Sequence, residues 1–185
     1  ALGLSIIFSL GGVINLAHGA FYAVGAYLTV LFTDCLGFGL AFLITPAVVG
    51  LIGIAIEALF LRRLYNKDPI LTLLFTFGLA MSGEQALRLI FGASGIPFSI
   101  PEFLSGQLHV GDFLYSYYRL SILAVTSLSI AGLWILFNKT SFGLIVRAGV
   151  ADAEMVRAMG ISVKPILSMV FAIGVGLAAV AGSMS

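Results

Sequence analysis

Residues 1–33 read ALGLSIIFSLGGVINLAHGAFYAVGAYLTVLFT and contain no charged side chain. As one straight helix, at about 1.5 Å per residue, this stretch would be roughly 50 Å long, whereas the hydrocarbon core of a bilayer is about 30 Å thick. The stretch therefore has to be interrupted. The expected break is at Gly11-Gly12 and the following Asn15 and His18, because glycine weakens a helix and polar side chains need partners in lipid. We predict the second half of one span from Ala1 to Gly12 and a complete span from Val13 to Phe32.

The composition of the chain excludes a water-soluble globule. Of the 185 residues, 61% are hydrophobic and 9% are charged, and the mean hydropathy is +1.16, whereas soluble domains are about 45–50% apolar and 25% charged. A formal net charge of +1 leaves no basic excess for holding a polyphosphate, which argues against a nucleic-acid binder. The single cysteine, Cys35, excludes a disulfide within these residues and a metal site built from cysteines.

Four further apolar runs have about the length of a membrane span. The long stretch from Gly92 to Tyr118, with its prolines and tyrosines, is interpreted as a loop that ends in an interfacial aromatic belt. The predicted fold class is all-α, a polytopic transmembrane helix bundle of about five spans plus a partial one. We interpret residues 1–185 as a single transmembrane domain of a larger protein, truncated at both ends, because the first and last residues fall inside apolar runs. The four runs are Phe38 to Phe60, Pro69 to Phe91, Leu120 to Phe137, and Pro165 to the last residue.

The charged residues indicate the orientation of the spans. Cytoplasmic loops hold Lys and Arg preferentially, and seven of the nine basic residues fall in two segments, one after the Phe38 span and one from Asn138 to Lys164. These two segments are expected to face the cytoplasm, and the opposite loops hold mainly acidic residues. The seven basic residues are Arg62, Arg63, Lys67, Lys139, Arg147, Arg157 and Lys164, and the acidic residues opposite are Asp34, Glu102 and Asp112.

The segment from Phe142 to Pro165 is too polar for a span and too regular in pattern for a plain linker. Asp152 is placed as an N-cap, Glu154 lies in the first turn, where the helix dipole favours an acid, and Gly160 is placed as a C-terminal glycine. This spacing predicts a helix of about two turns. Its apolar side chains would be exposed, which fits either a helix docked in a partner's groove or an amphipathic helix lying on the membrane surface or the other spans. These side chains are Met155, Val156 and Met159.

Several motifs of the chain resemble one family of transporters. Glu154-Met-Val-Arg-Ala-Met-Gly160 is similar to the E-A-A-x-x-x-G coupling loop of ABC importer permeases, with methionine and valine in place of the two alanines. Together with three further motifs, it makes nearly the whole chain similar to the branched-chain amino acid ABC transporter permease family, in its N-x-A-H-G subunit type. These motifs are Gly12-Val-Ile-Asn-Leu-Ala-His-Gly19, Gly25-Ala-Tyr27, and Arg147-Ala-Gly-Val-Ala-Asp-Ala-Glu-Met155 leading into Met159-Gly-Ile161.

The resemblance implies a permease subunit that forms a path for branched-chain or related amino acids across the cell inner membrane. It implies a second permease subunit, cytoplasmic ATP-binding subunits that hydrolyse the ATP, an external substrate-binding protein, and no cofactor or catalytic role for this chain. Urea and short-amide importers share the pattern, so those substrates stay open as alternatives. The residues that would couple the chain to the ATPase are Asp152, Glu154, Met155, Arg157 and Gly160.

Three polar residues within the spans are candidates for lining the path. Asn15 and His18 are three positions apart and share one helical face, which suits either a path at a broken helix or a helix-packing strip with satisfied polar groups. Glu84 lies about 22 Å up a roughly 30 Å core. Intramembrane ionisable residues are functional candidates, and in a stand-alone channel or secondary transporter Glu84 would be an ion or proton site. An ion pair between Glu84 and Arg88 is an equal alternative. Glu84 and Arg88 belong to a stripe of small and polar residues at successive i+4 positions, Thr72, Thr76, Ala80, Glu84 and Arg88.

Other features are interpreted structurally. Glu57, beside two arginines, is interpreted as an interfacial charge, and Gly174, Ala178 and Gly182 form a strip that suits close helix packing. No G-x-x-x-x-G-K-[ST] motif occurs in residues 1–185. No nucleophile has an adjacent base, and the two histidines have no carboxylate at metal-ligand spacing. An enzyme is therefore disfavoured.

Overall fold

The computed structural model describes residues 4–5, 15–64, 67–92, 95, 106–110 and 113–185. Within these residues the chain is mostly helical, with one short β-hairpin. The predicted half-span from Ala1 to Gly12 lies outside the described residues except for Leu4 and Ser5, which are helical. The helices are α1 (His18–Leu36), α2 (Phe38–Ile56), α3 (Pro69–Phe91), α4 (Tyr117–Lys139), α5 (Ser141–Ala151), α6 (Ala153–Ala158) and α7 (Val163–Gly182), and the strands are β1 (Gln107–Val110) and β2 (Phe113–Ser116).

Among the described residues, five helices are long and apolar enough to cross a membrane. They confirm the predicted helical bundle, and the last four coincide with the predicted apolar runs to within a few residues. The second of them is longer than predicted, because α2 continues through a π-helical turn, Glu57–Leu61, into a final turn, Arg62–Leu64. The five are His18–Leu36, Phe38–Leu64, Pro69–Phe91, Tyr117–Lys139 and Pro165–Gly182.

The first complete span is displaced from its predicted position, Val13 to Phe32. α1 begins only at His18, because the side-chain Oδ1 of Asn15 accepts a hydrogen bond from the amide of Ala17 (3.0 Å). Such a local side-chain bond competes with helical hydrogen bonding and favours a turn. α1 continues to Leu36 and ends where Gly37 has a φ of +78°, a conformation that glycine adopts without steric cost.

One compact unit consists of residues 1–96 and 145–185, and its core lies where α1, α2 and α7 pack together. Phe21 of α1 and Phe171 of α7 meet edge to face, with ring centroids 6.2 Å apart. Between helices in lipid, association depends on close packing, because the lipid tails are as apolar as the side chains. The buried cluster consists of Ala17, Phe21, Val49, Leu61, Phe171, Val175, Ala178 and Ala179.

Small residues allow the backbones of α1 and α7 to approach closely. A Cβ atom at Gly25 would lie 2.5 Å from the Cα of Ala179, and one at Gly182 would overlap the carbonyl oxygen of Tyr22. Gly174, Ala178 and Gly182 are all buried. The interpretation of this strip as a packing surface is confirmed.

The second compact unit is residues 97–144. In it β1 and β2 pair antiparallel, with Gln107 opposite Ser116 and Val110 opposite Phe113. This hairpin lies in the stretch that we interpreted as a loop, so that interpretation was wrong for these residues. A hairpin signal was present in the sequence, because Leu108 and Val110 alternate with polar residues before Gly111-Asp112 and the apolar run Phe113-Leu-Tyr115 follows it. The prolines upstream suggested a loop throughout.

Candidate functional site

The segment leading into α1 is attached to α3 by polar groups. Asn15 is only 3% exposed, and the amide of Leu16 donates a hydrogen bond to Thr76 Oγ1 (3.3 Å). Asn15 precedes α1 and is separated from it by the turn at Leu16 and Ala17. The predicted shared helical face of Asn15 and His18 is therefore wrong, because the Asn15 side chain forms the turn instead of continuing the helix.

Polar atoms near this junction have no hydrogen-bond partner among the described residues. They are the side-chain nitrogen Nδ2 of Asn15, Nδ1 of His18 and Oγ1 of Thr72. Asn15 and Thr72 are buried and His18 is half-buried. Buried polar atoms are nearly always hydrogen-bonded, so these atoms can accept or donate bonds to water or to a polar solute. The role of Asn15 and His18 in a path stays a prediction.

Glu84 and Arg88 form the ion pair that was one of the two interpretations of Glu84. Arg88 Nη2 lies 2.7 Å from Glu84 Oε1, and about half of each side chain is exposed. Of the small and polar stripe, Thr72 and Thr76 are buried, whereas Glu84 and Arg88 at its C-terminal end are exposed. The stripe therefore does not border a single buried surface of this chain.

The helix predicted after Asp152 is present as α6. Asp152 Oδ1 accepts hydrogen bonds from the amides of Glu154 (3.0 Å) and Met155 (2.9 Å), which is the geometry of an N-cap. At the other end Gly160 has a φ of +80°, and the amide of Ile161 donates to the carbonyl of Val156 (3.3 Å), as in a glycine-terminated helix. Both predicted ends of the helix are confirmed.

The two faces of α6 differ. Met155 is 65% exposed and Met159, just beyond the last turn, is 72% exposed, whereas Val156 is only 4% exposed. The expectation that Val156 is exposed was wrong, because it lies on the side of α6 that contacts α7. Arg157 belongs to α6, and its side chain lies outside the described part of the structure.

Helix α5 was not predicted. Thr140 precedes it, and its Oγ1 accepts a hydrogen bond from the amide of Gly143 (3.3 Å), so the apolar run after residue 140 is capped. The Thr-Ser pair before an apolar run is a helix-start signal. We placed this run in the cytoplasmic coupling loop, residues 138–164, which is too polar for a span, and predicted a helix there only after Asp152.

The interpretation of Glu57 as an interfacial charge was wrong. Its side chain is 0% exposed, lies in the π-helical turn at the end of α2, and contacts both Arg62 (3.3 Å) and Ser168 of α7 (2.5 Å). Sequence reasoning missed it because Ser168 is more than a hundred positions away. A local signal existed in the spacing of five between Glu57 and Arg62, which fits the i to i+5 repeat of a π turn.

The cap at Asp152 leads to a prediction about local stability. Replacing Asp152 with alanine removes the acceptor for two amides and should destabilise α6 by about 1 kcal/mol. We expect amide hydrogen exchange at Glu154 and Met155 to become several-fold faster in Asp152→Ala. Asp152→Asn keeps a capping oxygen and should protect these amides nearly as well as aspartate does. Equal protection of these amides in the unmodified protein and in both variants would contradict the capping role of Asp152.

Comparison with known proteins places the chain among transport proteins. Residues 1–185 match a family model described as branched-chain amino acid transport system, permease component. The chain is 28% identical to the high-affinity branched-chain amino acid transport system permease protein BraD of Pseudomonas aeruginosa, over 98% of this chain and 63% of that protein. The same three values hold for LivH of Escherichia coli K12. For the probable LivH of Methanocaldococcus jannaschii they are 27%, 100% and 60%. No solved structure matches.

The chain spans 60% to 63% of the length of these curated relatives. The relatives are named as permeases, and five helices of this chain can cross a membrane, so the chain is a multi-pass membrane protein. The family model covers every residue. The chain therefore belongs to the family of permease components of branched-chain amino acid transport systems.

Proposed function

We propose that this chain is part of the permease subunit of an ABC importer in the inner membrane and forms the path for branched-chain or related amino acids. A second permease subunit would complete the path, cytoplasmic ATP-binding subunits would hydrolyse ATP, and an external binding protein would deliver the substrate. The two bacterial relatives named above, which are named as permeases of high-affinity branched-chain amino acid transport systems, support this assignment.

The observation that carries the proposal is the form of α6. Its ends are held by Asp152 and Gly160, Val156 anchors it to α7, and two methionines project outward. Burying an exposed methionine contributes about 1.5–3 kcal/mol, and methionine adapts to the shape of a groove. In this function Met155, Met159 and Glu154 contact the ATPase, and Asp152 and Gly160 keep the helix in the shape that fits.

The connection between α6 and α7 supports a mechanical role. Only residues 159–162 separate the two helices, and α7 packs along both α1 and α2 in the core. A displacement of α6 by the ATPase therefore moves α7 with it. Basic residues are concentrated in residues 138–164, which contain α6, and in the segment after α2. This concentration supports a cytoplasmic location for both segments.

The Glu84–Arg88 pair favours an amino acid over urea or an amide as the substrate. An amino acid is a zwitterion. Its ammonium group would donate a hydrogen bond to Glu84, and its carboxylate would accept one from Arg88. Both side chains are half exposed within a helix that can cross a membrane, and charges in that environment are unfavourable unless they face water or protein. In the proposed function they face the path shared with the second permease subunit.

This assignment of Glu84 is tested by Glu84→Gln in the full-length assembled transporter. A hydrogen bond to a charged group contributes about 1.5–3 kcal/mol, so the leucine concentration for half-maximal uptake should rise about tenfold or more. The matched control is Gln85→Asn on the same helix, because Gln85 is also exposed and has no charge to lose. An unchanged half-maximal concentration in Glu84→Gln would show that the ion pair is only structural.

The function as a whole is tested with the full-length protein purified from its own membrane. We expect an ATP-binding subunit to co-purify, and leucine uptake into proteoliposomes to require both internal ATP and the external binding protein. Uptake by the permease chain alone, driven by an ion gradient, would show a secondary transporter and overturn the proposal. Labelling from the outer compartment at residues 142–164 would also overturn it.

A further inference from the structure

A polar cluster joins the C-terminal end of α2 to the N-terminal part of α7. It consists of Glu57, Arg62 and Ser168, which we call the polar joint. Ser168 donates a hydrogen bond to Glu57 Oε2 (2.5 Å), while Arg62 Nη2 donates to Ser168 Oγ (2.7 Å) and to Glu57 Oε2 (3.3 Å). Three side chains from two helices therefore make a closed triangle of polar contacts.

The π-helical turn makes this triangle possible. In a regular α-helix two residues five positions apart point about 140° away from each other. The i to i+5 hydrogen bonding of the π turn, Glu57–Leu61, adds a residue to the turn and lets Glu57 and Arg62 face the same side. π turns inside α-helices are rare, and those that occur are often at functional sites. The backbone of α2 is therefore shaped so that both charged side chains reach Ser168.

Stability alone does not explain the polar joint. Glu57 is 0% exposed, whereas the Arg62 side chain is 38% exposed, and a carboxylate taken out of water is costly unless its pairing is complete. Glu57 Oε1 and Arg62 Nε have no hydrogen-bond partner within the described ranges. Glu57 is therefore costly to bury, and the joint is not fully satisfied in this arrangement.

The position of the polar joint links it to α6. Ser168 lies in the second turn of α7, and α7 begins five residues after α6 ends. Glu57 and Arg62 lie where α2 leaves the apolar core. The joint therefore connects α7, the helix that follows α6, with α2, which packs against α7. A movement of α6 reaches α7 through the chain itself. It reaches α2 through the packed core and, at the ends of the two helices, through these three side chains.

We propose that the polar joint transmits the displacement of α6 from α7 to α2, so that the inner ends of both helices move as one body. This inference rests on the proposed function, in which α6 receives the movement of the ATPase. Glu57, Arg62 and Ser168 are then positioning residues, which contact neither ATP nor the transported molecule.

The test uses the full-length transporter assembled with its partner subunits. In the double variant Glu57→Met/Arg62→Met the joint becomes apolar, and in Ser168→Ala its link to α7 is lost. Coupling free energies between sites correspond to about 5- to 150-fold effects, so we expect about tenfold more ATP hydrolysed per leucine transported in both. The thermal midpoint and the amount of co-purified ATPase should stay at the level of the unmodified transporter. The control is Arg63→Met, which removes a neighbouring exposed charge and should leave the ratio unchanged.

The outcomes separate the polar joint from the proposed function. An unchanged ratio of ATP hydrolysed to leucine transported in a folded joint variant would overturn the proposal that the joint transmits the displacement. If the double variant does not fold, the ratio measured for Ser168→Ala decides the question. A lowered thermal midpoint with an unchanged ratio would show a merely structural cluster, which also overturns it. If Met155→Asp combined with Met159→Asp on α6 leaves transport intact as well, the proposed function itself fails.

Discussion

Gly25→Ala is expected to lower the thermal midpoint of the purified protein strongly. Alanine in place of an interior helix glycine normally stabilises by about 0.8–1 kcal/mol. At Gly25, however, the new Cβ would lie 2.5 Å from the backbone of Ala179, and no rotation of a side chain can relieve that contact. α1 and α7 would have to separate, and overpacking of this kind costs about 1–3 kcal/mol or more.

The matched control for Gly25 is Gly78→Ala. Gly78 lies in the middle of α3, and a Cβ there would meet nothing within 4 Å among the described residues. We expect Gly78→Ala to be neutral or slightly stabilising, so the two substitutions should have opposite signs. A Gly25→Ala protein as stable as the Gly78→Ala protein would show that α1 and α7 do not pack this closely.

Met155→Asp combined with Met159→Asp is expected to abolish leucine-stimulated ATP hydrolysis in the assembled transporter. Two buried methionines would contribute about 3–6 kcal/mol to docking, and carboxylates at these positions would have to lose their water without a partner. Because both side chains are exposed in the chain itself, the fold should survive. The measurements are the ATPase rate with and without leucine, and the amount of ATPase that co-purifies.

The control for the methionine pair is Met155→Leu combined with Met159→Leu, which keeps the apolar surface and nearly the same volume. Volume-conserving exchanges of this type usually cost less than about 1.5 kcal/mol, so most of the stimulation should remain. If the aspartate variant is stimulated as strongly as the leucine variant, α6 does not contact the ATPase.

Local features of the candidate site could be predicted, and features that depend on a distant helix could not. The N-cap at Asp152 and the glycine at Gly160 involve neighbours within five positions, so their pattern is visible in the chain. The burial of Val156 depends on α7, and the environment of Glu57 depends on Ser168. Asn15 shows an intermediate case, because its turn is local but competes with a helix that the apolar run also favours.

The amino-acid sequence was sufficient to predict that this chain crosses a membrane, where four of its spans lie, and that a short capped helix follows Asp152. These properties depend on the thickness of the bilayer and on hydrogen bonds between near neighbours. Three other properties depend on how the helices pack: which charges are buried, which small residues touch another backbone, and how α2 is joined to α7. The physical reason is that burial and close approach are properties of two surfaces, and the residues of one helix do not specify which helix lies against it.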